Sequence, residues 1–156
     1  MPIKPNWDEY FLNMLDAVAM RASCDRGRSA AILTRNNRII STGYVGAPKG
    51  LPTCDDEGHI MENHISSNGL INSWHCVRTF HAEMNAILGC AREGISTIGS
   101  TLYCHMLPCR NCGMAVIQAG IIRVIAKNRY HSDDETRIMF DKTNIEWVVL
   151  EDSTTY

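Results

Sequence analysis

From Ala82 onward the chain alternates helix-like and strand-like stretches, and few architectures accept that order. A helical stretch from about Ala82 to Arg92 precedes the strand TLYCH, a helix opening near Cys109, the strand IIRVIAK, a helix over Asp134 to Asp141 and a last strand, IEWVVL. Strands separated by helices of this length need crossover connections, which lay the strands in one sheet and the helices on its faces. The expectation is an α/β fold. Upstream, Tyr10, Phe11, Met14, Leu15 and Val18 recur at the spacing of a helix with one buried face, over Trp7 to Ala22. AAILTR and RIISTGY flank Asn36-Asn37 and read as a hairpin. Val45 to Thr79 is rich in Gly, Pro, Asn, Ser and His without a sustained period, which reads as a long functional loop. Asp152 to Tyr156 reads as a plain polar tail.

The 156 residues are expected to form one domain, 1–156, with a single core. A formal net charge of -2 argues against a general nucleic-acid binder. No stretch approaches the roughly 18 apolar residues of a membrane span, and MPIKPNWDEY lacks the apolar run of a signal peptide. A cytoplasmic protein with neither a membrane nor a nucleic acid as partner is therefore expected. Seven cysteines without an export signal favour metal ligation or buried thiols over a disulfide framework.

Spacing sharpens that choice. "HAEMNAILGC" sets His81 and Glu83 two residues apart at a helix start, and "PCRNC" sets Cys109 and Cys112 at another. One imidazole and two thiolates leave a tetrahedral zinc with an open position, the pattern of a catalytic site. Glu83 then lies beside the metal without binding it, placed for general acid–base work. Taken singly, each residue has a plainer reading: a helix cap, a dipole partner or a thiol redox pair. Taken together, and in order, His-x-Glu with Pro-Cys-x-x-Cys is the signature of zinc nucleobase deaminases.

The chain resembles the deoxycytidylate (dCMP) deaminases of the cytidine-deaminase-like fold. "HAEMNAIL", "TLYCHMLPCRNC", "IIRVIAKNRYHSDDE" and "RIISTGYVGAPKGLPTCDD" carry the resemblance, which extends from the first helix to about Leu150. It implies a three-layer α/β/α fold, a five-stranded mixed sheet flanked by helices. The implied activity is zinc-dependent hydrolysis of dCMP to dUMP and ammonia, for thymidylate supply. The resemblance also implies a homo-oligomer, commonly a hexamer, with dCTP activating, dTTP inhibiting and Mg2+ accompanying the effector. Val45 stands where the family usually has Asn, which removes a donor and an acceptor from a nucleotide-binding loop and puts that regulation in question. His105 replaces a smaller residue, and either lines the pocket or faces solvent.

The remaining assignments are looser. Asn85 shares a helix face with His81 and either bonds the sugar or bonds local backbone. Tyr130 matches a family tyrosine near the substrate phosphate, or is a half-buried aromatic. Arg26, Arg28, Lys127 and Arg129 are all eligible to hold that phosphate. Cys90 and Cys104 read as core thiols. Cys24 and Cys54 match positions that hold a second, structural zinc in some family members. With Cys76 and one histidine they would close a tetrahedral site, His75 being the first choice and His59 and His64 the substitutes. Rival readings are a deaminase of another cytosine nucleotide, nucleoside or nucleic-acid base, and a non-catalytic zinc module.

Overall fold

The structure, a computed structural model, describes residues 3–65, 69 and 71–154. α1 (Trp7–Ala19) opens at Asn6, whose side chain accepts from the Glu9 N–H while the Glu9 carboxylate accepts from the Asn6 N–H. That reciprocal pair satisfies two donors that a helix start leaves open. β1 (Ala30–Arg35) and β2 (Arg38–Tyr44) form the expected hairpin. Asn36 and Asn37 both adopt positive φ, as a two-residue turn of that hand requires.

The presumed loop is structured. It contains a short helix, α2 (Cys54–Glu57), and a separate two-stranded sheet of β3 (Met61–Ile65) and β4 (Ile71–Cys76). Its alternation is hidden because one face of so small a sheet has little core to cover. The rest alternates as read: α3 (Ala82–Glu93), β5 (Thr101–Met106), α4 (Arg110–Gln118), β6 (Arg123–Arg129), α5 (Asp134–Lys142) and β7 (Glu146–Thr154). β7 pairs with β6 as far as Thr154, so the polar tail is largely a strand; backbone pairing does not require apolar side chains.

The five-stranded sheet runs β2-β1-β5-β6-β7, antiparallel through β5 and parallel from β5 to β7. Because successive strand residues face opposite sides, the core divides in two. Ala30, Ile32, Tyr103 and Ile125 meet Phe11, Leu12 and Leu15 of α1. Ala31, Leu33, Leu102, Cys104, Val124 and Ala126 face the other way, into the layer of Ala82, Ala86, Val116 and Phe140. The result is the three-layer α/β/α sandwich expected, with α3, α4 and α5 opposite α1. Gly43 of β2 lets α3 sit directly on the sheet: a Cβ there would lie 2.1 Å from the Ala82 carbonyl oxygen. Among the described residues no helix is long and apolar enough to cross a membrane.

Candidate metal centre and cavity

His81 and Cys109 are the N-cap residues of α3 and α4, each in extended conformation, and neither side chain caps its helix. Ser, Thr, Asp or Asn would serve better as caps; here the side chains turn toward each other instead. The Cys109 and Cys112 sulfurs each lie 3.5 Å from His81 Nδ1. A tetrahedral zinc with bonds of about 2.3 Å to sulfur and about 2.0 Å to nitrogen has an S–N edge of about 3.5 Å. The three residues therefore fit zinc. Protons on the three are shared unequally: contact with Cys112 and with the His81 imidazole draws Cys109 down to about 4, and the same pairing lifts Cys112 and brings His81 up to about 9. The direction of the Cys109 shift favours the thiolate form that metal binding requires.

Glu83, 9% exposed, lies in the first turn of α3, and burial raises its carboxyl above the usual range. His81, Glu83 and Cys109 line one cavity of about 530 Å³, within the range that holds small-molecule ligands. Arg26, Val45, His75, Tyr130 and His131 line the same cavity from other elements. Arg26 donates to the Trp74 carbonyl at 3.3 Å, and the His75 and His131 rings stack at 6.1 Å. Tyr130 and His131 lie 4.2 Å apart. Imidazole and guanidinium groups thus gather on one part of the wall.

Several expected residues stand elsewhere. His105 is on the opposite face of β5: Nδ1 accepts from the Ala30 N–H at 3.0 Å and Nε2 meets Asp16 of α1 at 2.8 Å. The alternation that aims Met106 at the cavity aims His105 at α1. Asn85 donates to the Tyr44 carbonyl at 2.7 Å, fastening the strand end that leads to Val45, and it does not line the cavity. Of the eligible cations Arg26 lines the cavity and Arg28, Lys127 and Arg129 do not; Lys127 pairs with Asp16 and Arg129 with Asp133. His131 was missed, although its place next to Tyr130 was a usable signal.

A second cluster brings together Cys24, Cys54, Cys76 and His59, every ligand atom within 4.8 Å of the others. The Cys54 and Cys76 sulfurs are 3.5 Å apart and the Cys24 sulfur is 3.6 Å from His59 Nδ1. His75, the first choice from sequence, is not the fourth member: in a strand it faces away from its neighbour Cys76, and its ring lines the cavity. His59 takes that place, steadied by Asp25 at 3.0 Å from its Nε2. The His64 side chain lies outside the described residues. Burial and the neighbouring sulfurs push Cys54 up to about 12; burial also opposes ionisation of Cys76, yet the Arg78 backbone and His59 bring it down to about 7.

The chain is similar to known proteins. The cytidine and deoxycytidylate deaminase zinc-binding region matches residues 5–128. The deoxycytidylate deaminase of Schizosaccharomyces pombe is 34% identical over 144 residues, 92% of this chain and 44% of that protein. The one from Mycobacterium phage D29 is 37% identical over 124 residues, 78% of this chain and 94% of the phage protein. This chain thus spans less than half of the yeast relative and nearly all of the phage one. Among solved structures, the dCMP deaminase of cyanophage S-TIM5 in complex with dCMP and dUMP superimposes with a TM-score of 0.73 at 25% identity, over 95% of this chain and 99% of that one.

Proposed function

The chain belongs to the cytidine and deoxycytidylate deaminase family, and from that premise we propose that it hydrolyses dCMP to dUMP and ammonia. The observation that carries the reading is the buried carboxylate of Glu83 in the same cavity as His81 and Cys109. A scaffold needs metal ligands but has no use for a titratable group at that point. His81, Cys109 and Cys112 would hold a zinc, which when bound acts as a Lewis acid and lowers the pKa of a water from about 15.7 to about 7. Glu83 takes one proton from the attacking water and delivers it to the ring nitrogen of cytosine; it then takes the second proton, from the hydroxyl that the attack leaves on the ring carbon, and passes it to the amino group as the C–N bond breaks and the carbonyl forms. Its raised pKa suits a carboxyl that must both accept and return a proton.

With the base against Glu83, the 5′-phosphate reaches the Arg26, His75 and His131 part of the wall, where guanidinium and imidazole N–H groups suit an anion. Val45 presents only methyl groups to the cavity, so the contact an amide would make in that loop is made elsewhere or not at all. Cys24, Cys54, His59 and Cys76 hold a second, structural zinc. Support comes from four donors within 4.8 Å of one another, two pairs of them at 3.5 and 3.6 Å, which tie the 24–29 loop, α2 and the β3–β4 hairpin together. Both clusters are sulfur-rich, unsuited to the hard Mg2+ ion, so Mg2+ would enter only with a nucleotide.

The test is ammonia release from dCMP, dCTP, deoxycytidine and cytidine by zinc-loaded protein. Turnover of dCMP above the others is expected. Glu83→Gln should retain its metal and lose on the order of 10³-fold in kcat. No turnover of any of these pyrimidines, or wild-type rates in the variant, would overturn the assignment.

A further inference from the structure

β6 ends at Arg129 and α5 begins at Asp134, and the four residues between them carry part of the cavity wall. The last of the four, Asp133, is 1% exposed. Its carboxylate accepts from Arg129 Nε at 2.6 Å and Nη2 at 2.7 Å, from Arg137 Nε at 3.0 Å and from the Tyr130 N–H at 3.1 Å. The Asp133 N–H in turn donates to the Tyr130 carbonyl at 3.3 Å. Asp133 is also the N-cap residue of α5, the position where an aspartate ordinarily accepts from the first free N–H groups of its helix. It makes no such bond. The side chain turns back on the loop instead, and closes residues 129–133 into a ring of hydrogen bonds.

We propose that Asp133 is a positioning residue for the substrate: by clamping Arg129 and the Tyr130 backbone it fixes where Tyr130 and His131 stand in the cavity, and so sets how strongly a nucleoside monophosphate is held relative to the bare nucleoside. A buried carboxylate between two guanidinium groups is an expensive way to end a strand, because each charge must be desolvated. A neutral turn with an ordinary cap would join β6 to α5 equally well. What the costly arrangement adds is a corner without freedom, at the one place in the loop where two ring side chains face the cavity. Asp133 reaches the reaction only through these residues. Among the described residues its carboxylate bonds Arg129, Arg137 and the Tyr130 N–H, and neither Glu83 nor a metal ligand.

The inference rests on the reading of dCMP as substrate, and binding of the product tests the two separately. Calorimetry compares dUMP with deoxyuridine on wild-type protein, Asp133→Asn and Arg137→Gln, each checked for zinc content and melting temperature. Wild type should prefer dUMP. In Asp133→Asn, dUMP affinity should fall about tenfold, less than the hundredfold that an ångström of misplacement costs, while deoxyuridine affinity falls little. KM for dCMP should rise with dUMP dissociation, ahead of any fall in kcat. Arg137→Gln, which keeps the carboxylate and its bidentate arginine, should shift the same ratio less. A wild-type protein that does not distinguish dUMP from deoxyuridine overturns the monophosphate reading and this inference with it. A wild type that does, with an unchanged ratio in both variants, overturns the role of Asp133 alone. Should Asp133→Asn fail to fold, Arg137→Gln decides.

Discussion

The two cysteine–histidine clusters use the same donor atoms for opposite ends. His81, Cys109 and Cys112 hang from the starts of two helices seated on the sheet and number three, and His81 and Cys109 line a cavity together with the buried carboxylate of Glu83. Cys24, Cys54, His59 and Cys76 come from loops, the start of a four-residue helix and a small sheet, number four, and join segments that have little core of their own. On the proposed reading, in which each cluster would hold a zinc, the difference teaches what each metal would be for. Where the scaffold is already rigid, a fourth protein ligand can be omitted and the vacancy given to chemistry. Where the chain cannot bury enough to hold itself, all four positions go to the chain.

Removing one ligand from each cluster is the severest way to break this comparison. His81→Ala should bring deamination to background while melting changes modestly. Cys54→Ser should do the reverse: stability falls by about 4 kcal/mol, the contribution of a site saturated a thousandfold above its dissociation constant, and Tm by on the order of 10 °C. Metal analysis should give two zinc ions per wild-type chain and one in each variant. A single zinc in the wild type would remove the second site, and equal losses of activity in the two variants would erase the division of labour.

The two clusters were also unequally legible. The first is written locally: a His-x-Glu pair and a Cys-x-x-Cys, each at a helix start, need only the crossover topology to meet. The second depends on how a segment without an evident period folds. Periodicity marks elements that cover a core, and β3 and β4 pair with each other instead. Hence the sequence ranks His75 ahead of His59 even though its adjacency to Cys76 counts against it, since strand alternation sends neighbouring side chains apart. The same alternation, applied to Tyr103, His105 and Met106, would have placed His105 against α1 from the sequence alone. The five-stranded sheet and its order of helices were readable because the central strands are short apolar runs buried on both faces and the helices between them are long enough for crossovers.

A smaller perturbation sharpens the contrast by disturbing only the helix seat. In Gly43→Ala the new Cβ would fall 2.1 Å from the Ala82 carbonyl oxygen and 2.5 Å from the Ala86 nitrogen, both of them backbone atoms of α3. α3 must lift, carrying Glu83 and the N-cap residue of the helix, His81. Overpacking of this kind costs about 1–3 kcal/mol. The activity lost should exceed what that destabilisation alone removes at 25 °C, and the metal released first on mild chelation should be the catalytic one. If the four-donor cluster empties first, the rigid seat is not what holds the three-donor site.

The mildest prediction is a control on the far face of the sheet. Asp8 of α1 bonds Arg123 of β6 at 2.7 and 2.8 Å and the Tyr103 hydroxyl at 2.7 Å, and contact with Arg123 holds its carboxyl below the usual value of 3.8. A carboxylate depressed in the folded state adds stability above its unfolded pKa, and loses it as pH falls through the lower folded value. Because Asp8 is a third exposed, solvent screening keeps that contribution to about 1 kcal/mol or less. Denaturant midpoints of wild type and Asp8→Asn should therefore differ slightly at neutral pH and converge in acid. Both proteins should keep two zinc ions at neutral pH, since the sheet separates this pair from the layer that carries Cys24, Cys54 and Ala82. A metal lost on cutting Asp8 from Arg123 would mean that α1 helps to seat a cluster, and that the comparison divides the molecule in the wrong place.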